Sequence, residues 1–338
     1  MTANSPVAVL RIAALTFVLV APLVLNAYWL FLALQVVVYT YLALSFDLAY
    51  SYSRLLSFCQ GLFFTLAAYV ATYVASSAGW GLPAMLLGGT LGAALLGAVV
   101  GLMLMRMHTH AAIIATVIIA AASLLVGNAL SAYTGGDDGL SLPTEQIGIG
   151  LWQMHSGLNL ATYYLAAVPL VVLICGLWRM RGTLTWTVIR AVAQNDVRAR
   201  QLGYNVTLRR YAVFVASTAV AGFGGALYAL VMNHVTTGLL DISVSVNAIL
   251  YAVIGGLETD CGALVGALLV LPVTELIASV FTYVQIFVGL LLAVMAVAAP
   301  KGIVGTLLQH TSRSRTVQKT EANDDGAPSD GLVRPSSI

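Results

Sequence analysis

Run after run of this sequence is apolar, uncharged and long enough to cross a bilayer. The clearest, at 82–105, reads LPAMLLGGTLGAALLGAVVGLMLM and holds no charged side chain. A helix rises 1.5 Å per residue, so ~20 residues match the ~30 Å hydrocarbon core. Within lipid the backbone must satisfy its own hydrogen bonds, which a helix does within one segment. The runs lack the period-2 alternation of an outer-membrane barrel. The predicted fold class is therefore all-α, a polytopic integral membrane protein. Polar punctuation places about ten transmembrane helices near 7–25, 29–48, 55–77, 82–105, 111–131, 161–178, 211–232, 244–257, 261–280 and 282–299.

Composition supports the bilayer as solvent. Of the 338 residues, 60% are hydrophobic and 8% charged. Soluble domains carry about 25% charged residues, so this chain has too few to coat a water-facing surface. The three cysteines, Cys59, Cys175 and Cys261, stand alone in apolar runs and read as small core residues. The segment after about 310 is polar, with Ser, Asp, Gly and two prolines, and is expected to be a disordered tail, 310–338, behind a transmembrane domain at 1–309.

Basic residues set the orientation. The loop 132–160 has Asp137, Asp138 and Glu145 but no Lys or Arg, whereas 178–210 carries seven arginines from Arg179 to Arg210. The positive-inside rule puts 178–210 in the cytoplasm and 132–160 outside. Lys301, Arg313, Arg315 and Lys319 place the tail inside as well, so both termini are expected in the cytoplasm, which argues that the run 244–257, short enough to be re-entrant, crosses. Tyr28, Trp29, Trp80 and Trp178 sit at span ends, where amphipathic rings favour the interface, and Arg11 is placed to snorkel to headgroups.

Small residues recur four apart. Gly88/Gly92, Gly97/Gly101 and Gly262/Gly266, with Gly222, Gly224 and Gly225, predict closely approaching helices in a dense bundle.

The chemistry that is absent narrows the function. There is no Walker A pattern, no HExxH, no GxSxG and no dinucleotide fingerprint. No cofactor and no metal site are implied. His108 and His110 follow Arg106 and read as polar residues at an interfacial turn. A net charge of +2 says nothing about partners by itself, and no nucleic-acid partner is expected. Among acidic residues only Glu275 looks truly intramembrane; an ion-coupled secondary transporter would need it as its coupling group.

The long polar segment between spans, WTVIRAVAQNDVRARQLGYNVTLRR at 186–210, has a rough helical stripe of Val188, Ala191, Val192, Val197, Ala199 and Leu202. Arg190, Asn195, Asp196, Arg198 and Arg200 make the rest polar, and Gly203 stands where a C′ glycine ends a helix. Such a helix suits either docking into a partner's groove or lying on anionic lipid.

This segment, IRAVAQNDVRARQLGYNVTLRRYAVFVASTAVAGFGGALYA, resembles the coupling region and following span of ABC-transporter permeases of the branched-chain amino acid type, the LivM-like branch. LLSFCQGLFFTLAAYVA at 55–71, TGGDDGLSLP at 134–143, VIGGLETDCGALVGALLVL at 253–271 and APKGIVGTLL at 299–308 resemble further segments of that family, in order. The chain departs from the family's habit of glycine at Arg54, Cys59, Thr65 and Ala67, and of uncharged residues at Glu258 and Asp260.

The resemblance implies a bundle like that of the ABC importer permeases in a bacterial cytoplasmic (inner) membrane. It implies a permease that is not itself an enzyme. The partners would be two ABC ATPase subunits, a second permease subunit, an external solute-binding protein and membrane lipid. The coupling loop, about 179–210, would seat Arg190, Asn195, Asp196, Arg198, Leu202 and Gly203 in an ATPase groove. Asp137, Asp138 and Glu145 would face the binding protein. Gln60, Phe63, Phe64 and Tyr69 are candidates for the translocation path of a small polar solute, with branched-chain amino acids the family default.

Overall fold

A computed structural model describes residues 6–78, 81–142, 148–149, 152–153, 160–259, 261–278, 286, 289–290, 293, 302 and 304–306. The helices are α1 Pro6–Val24, α2 Ala27–Ser53, α3 Gln60–Ala78, α4 Leu82–Leu104, α5 Thr109–Ala129, α6 Ser131–Thr134, α7 Leu160–Met180, α8 Leu184–Gln194, α9 Asp196–Gln201, α10 Val206–Met232, α11 Ile242–Gly255 and α12 Gly262–Ala278. Four two-residue strands, β1 Leu140–Ser141, β2 Gly148–Ile149, β3 Trp152–Gln153 and β4 His234–Val235, make two small antiparallel pairs, β1 with β4 and β2 with β3.

Five of the described helices, α2, α4, α5, α7 and α10, are long and apolar enough to cross a membrane. The remaining expected spans fall on shorter helices, except 282–299, most of which lies outside the described residues, as do Glu145, Trp80 and the tail. The expected span at 55–77 begins later: the chain leaves α2 at Arg54 and resumes helix only at Gln60. In that break the Phe58 N–H donates to Thr116 Oγ1 at 3.2 Å, and Ser57 Oγ lies 3.2 Å from Cys59 Sγ. Non-helical backbone at such depth persists where protein groups supply its hydrogen bonds.

Helix α10 is the centre of the bundle, packed against α2, α3 and α4. The small residues explain how closely. A Cβ on Gly225 would collide with the Phe64 carbonyl of α3, one on Gly222 with the Ala93 side chain of α4, and one on Gly97 with Thr218 of α10. Burial of apolar surface does not drive helix pairing in lipid, so close van der Waals contact and interhelical hydrogen bonds carry it. Tyrosines supply the latter. Tyr41 donates to the Ala166 carbonyl at 2.9 Å, Tyr163 to Val18 at 2.8 Å and Tyr211 to Ala98 at 3.2 Å. Cys59 and Cys261 are buried as expected, but Cys175 lies on an exposed face of α7 rather than in the core.

The bundle has two chemically distinct ends. At the basic end stand Arg54, the α4–α5 turn with His108, and the α8–α9 segment. At the other, acidic end, β1 pairs with β4 in the register Leu140↔Val235, Ser141↔His234, fastening the loop after α6 to the exit of α10. The chain then returns into the bundle through a 3-10 helix, Thr237–Leu240, and the start of α11: Thr65 Oγ1 donates to the Leu239 carbonyl at 2.8 Å, and the Gly61 N–H donates to Ser245 Oγ at 2.9 Å. Helix α11 completes the passage to the basic end. Its 14 residues rise about 21 Å, short of a ~30 Å core.

Candidate functional site

The predicted coupling helix is two helices. α8 ends at Asn195, whose backbone is extended at φ −152, ψ 99, and α9 starts directly after it. Asn195 is both the end of one helix and the cap of the next: its Oδ1 accepts the Arg198 N–H at 3.0 Å. Thr183 caps α8 in the same way, accepting from the Trp186 N–H. α9 closes where the sequence indicated, with Gly203 at φ 84 and the Tyr204 N–H reaching back to the Ala199 carbonyl at 3.2 Å.

One face of this segment is fixed to the bundle. Trp186 is buried against Tyr52 of α2, ring centroids 4.6 Å apart, and Val192, Ala199 and Val206 form a small core of their own. Arg54 Nε donates to the Ala193 carbonyl at 2.7 Å. The other face is free. Arg190, Asn195 and Arg198 are exposed, and so are two apolar residues, Val197 at 63% and Leu202 at 71%. Asp196 Oδ2 stands 3.8 Å from both Arg200 and Arg210, ion pairs at the limit of contact.

A second tie at the same end was not singled out from the sequence. Asp47, 4% exposed, accepts the Ser51 hydroxyl at 2.6 Å and the Glu258 backbone N–H at 3.0 Å. Arg181 donates to the Glu258 carbonyl at 2.7 Å and to the Tyr52 hydroxyl at 3.2 Å. The turn between α11 and α12 is thereby fastened to α2 and to the end of α7. The sequence alone does not pair Asp47 with this turn, because the two lie 211 positions apart.

In the middle of the bundle, Gln60 is fully buried. Its Oε1 accepts from Ser45 Oγ at 3.4 Å, and its Nε2 donates to Ser217 Oγ at 3.5 Å, so one amide links α2, α3 and α10. These bonds are long and weak. Phe63 packs edge-on to Phe214 at 6.0 Å, and Phe64 lies among Tyr39 and Tyr228 at 6.2 and 5.5 Å. Tyr69 is half-buried, its hydroxyl without a hydrogen-bond partner. The four predicted path residues thus share α3, but Phe63 and Phe64 spend their rings on neighbouring helices.

At the acidic end, Asp137 and Asp138 are exposed in a 3-10 turn, and Thr237 Oγ1 stands 3.3 Å from Asp137 Oδ1. Glu275 lies on an exposed face of α12, near enough to the Tyr39 and Tyr251 phenols to act on them electrostatically. Among the described residues, no group of three or more His, Cys, Asp or Glu gathers as metal ligands would.

Comparisons with known proteins agree with this architecture. A family profile described as branched-chain amino acid transport system / permease component matches residues 28–299. Two curated relatives are similar in sequence. The high-affinity branched-chain amino acid transport system permease protein LivM of Escherichia coli (strain K12) is 26% identical over 319 residues, covering 85% of this chain and 74% of that one. The LivM of Salmonella typhimurium is 28% identical over 145 residues, 42% of this chain and a third, 33%, of that one. No solved structure matches. With the profile covering the five long apolar helices, all but Ala27 of α2 included, this chain belongs to the branched-chain amino acid transport system permease family: it is a multi-pass membrane transport component.

Proposed function

We propose that this chain is the transmembrane permease subunit of an ATP-driven importer that translocates a small polar solute, branched-chain amino acids first among the candidates, delivered by a solute-binding protein. The observation that carries the reading is the two-faced α8–α9 segment. One face is locked to α2 and α10, and the other exposes Val197 and Leu202 together with Arg190 and Arg198. An apolar ridge with flanking charges fits a groove on a partner, with the charges setting register. A movement of that partner would pass through Arg54 and Trp186 directly to α2.

In this reading the basic end is cytoplasmic, the chain crosses about ten times, and both termini lie inside. Two ATPase subunits dock at α8–α9, with a second permease alongside. Asp137, Asp138 and Glu145 receive the binding protein. The path runs at the permease interface, bordered by Gln60, Phe63, Phe64 and Tyr69. The loose bonds of Gln60 suit a side chain that changes partners as helices move. Ion coupling through Glu275 gains nothing here, because that carboxylate faces outward from the bundle rather than into a ring of ligands.

The test is reconstitution. Full assemblies in liposomes are expected to accumulate solute only with ATP inside and binding protein outside. Asp196→Ala with Arg198→Ala should leave the permease inserted while ATP hydrolysis no longer responds to loaded binding protein. Uptake by the purified chain alone under an ion gradient would refute the reading.

A further inference from the structure

At the basic end, behind the coupling segment, a polar cavity of about 190 Å³ opens between the ends of α2 and α4, the start of α5, α9 and the start of α10. It is far larger than the ~10–15 Å³ that one water needs. Its charge is unbalanced. Arg54, Arg200 and Arg210 border it together with His108, and a single carboxylate, Asp196, lines it beside Arg200 and Arg210. That carboxylate does not satisfy them: its 3.8 Å separations from Arg200 and Arg210 exceed hydrogen-bond length. Arg210 is the most enclosed, its side chain 22% exposed, and its Nε–H is buried without a hydrogen-bond partner.

Two helices also begin at this cavity. His108 is the N-cap of α5 and makes no side-chain cap bond, and Val206 and Thr207 are the first residues of α10. First-turn N–H groups lack partners within their helix, and helix N-termini carry partial positive charge. Asn205 caps the start of α10 by accepting the Leu208 N–H, so three guanidiniums and the uncapped start of α5 surround the cavity, and these call for a compact anion with several acceptor oxygens. Guanidiniums pair with phosphate through parallel N–H···O bonds.

We infer that this cavity binds a phosphoryl anion, supplied by free phosphate or by the headgroup of an anionic lipid, and that the anion pins α9 to the ends of α2 and α10. Arg200 belongs to the coupling segment, Arg54 to the end of α2 and Arg210 to α10, so one anion joins the docking element to both helices. Asp196 occupies the same basic group in the empty state and competes with the ligand. The site therefore predicts opposite effects for two kinds of variant. Arg210→Gln removes a ligand group; Asp196→Asn removes the competitor.

The experiment uses the purified, delipidated full chain in neutral detergent. Its thermal midpoint is followed against sodium phosphate or short-chain phosphatidylglycerol, with sodium chloride at matched ionic strength as reference. The expected result is stabilisation by at least one probe beyond chloride. The apparent Kd should rise at least tenfold in Arg210→Gln and fall severalfold in Asp196→Asn. Stabilisation by both probes identifies a site open to the soluble ion; by phosphatidylglycerol alone, a lipid site. If Arg210→Gln does not yield folded protein, Arg200→Gln, largely exposed, replaces it with the same expected weakening. The inference is overturned if neither probe exceeds chloride, or if the shift is unchanged in both arginine variants. Because binding is read without ATPase or transport, this outcome is independent of whether the chain works as an importer subunit.

Discussion

Arg54 donates its Nε–H to the Ala193 carbonyl at 2.7 Å from a backbone held at φ 56, ψ 27. The two facts oppose each other. Left-handed backbone costs an L-residue ~1–2 kcal/mol, and glycine is the residue that adopts it freely. A hydrogen bond from a charged donor contributes ~1.5–3 kcal/mol. The contact outweighs the strain, and it joins a crossing helix to the segment proposed to meet the ATPase.

Substitutions at 54 separate the two terms. Arg54→Ala keeps the strain and loses the bond; Arg54→Gly loses both. Arg54→Gly is therefore expected to be more stable than Arg54→Ala by ~1 kcal/mol, read as a higher thermal midpoint in detergent. Both should weaken the dependence of ATP hydrolysis on loaded binding protein to a similar degree, since both release Ala193. Equal midpoints would show that the end of α2 relaxes out of the left-handed region once the guanidinium is gone.

The Asp47–Glu258 contact gives a second contrast. Glu258 has φ 62 and an exposed side chain, and only its backbone is used, by Asp47 and Arg181. Glu258→Gly is expected to raise stability by ~0.5–1 kcal/mol. Asp47→Ala strands the Glu258 N–H and the Ser51 hydroxyl and should cost ~2–3 kcal/mol. Thermal midpoints of the two single variants test the pair; a midpoint lowered by Glu258→Gly would mean the glutamate side chain holds the turn.

Both positions had been visible as oddities in the sequence. Arg54 stands where the family favours glycine, and the structure supplies the reason: the chain there needs positive φ. Glu258 was noted only as a charge, and its own backbone proves left-handed too. The helical runs, the close-packed glycines and the Gly203 stop were legible because they are local or periodic. The break at Asn195 was not, since a two-helix reading needs the cap bond to Arg198 rather than the apolar stripe. Nor was the α2–α3 break at 54–59, where the Leu55 N–H turns back to the Ala49 carbonyl and the Phe58 N–H goes to Thr116 of a distant helix. Gln60 could be named as polar and central, but its partners Ser45 and Ser217 come from helices that only the fold brings together.

Glycines should divide sharply by what surrounds them. A Cβ on Gly225 meets the Phe64 backbone and cannot be accommodated by a rotamer change, whereas one on Gly176, inside α7, meets nothing within 4 Å. Gly225→Ala is expected to force α10 from α3 and to abolish recovery of monodisperse protein. Gly176→Ala should stabilise by ~0.5–1 kcal/mol through helix propensity. Size-exclusion profiles and thermal midpoints read both, and a well-folded Gly225→Ala would show that the two helices sit farther apart than described.

Val197 and Leu202 test the docking face most directly, because their exposure leaves little for folding to lose. Substitutions at such positions change stability within about 0.5 kcal/mol, so Val197→Glu and Leu202→Glu should insert and melt like the parent chain. An apolar anchor entering a partner's pocket is worth ~1–2 kcal/mol or more on truncation, and each 1.4 kcal/mol is tenfold in affinity. Each variant is therefore expected to lose tenfold or more in affinity for the ATPase subunits, measured by titration of the purified ATPase against the permease in nanodiscs. If the ridge instead lies on lipid, ATPase affinity will be unchanged, and the glutamates will weaken contact of the segment with anionic vesicles. That second outcome would move the ATPase contact elsewhere on the basic end and remove the main support for force passing through Arg54.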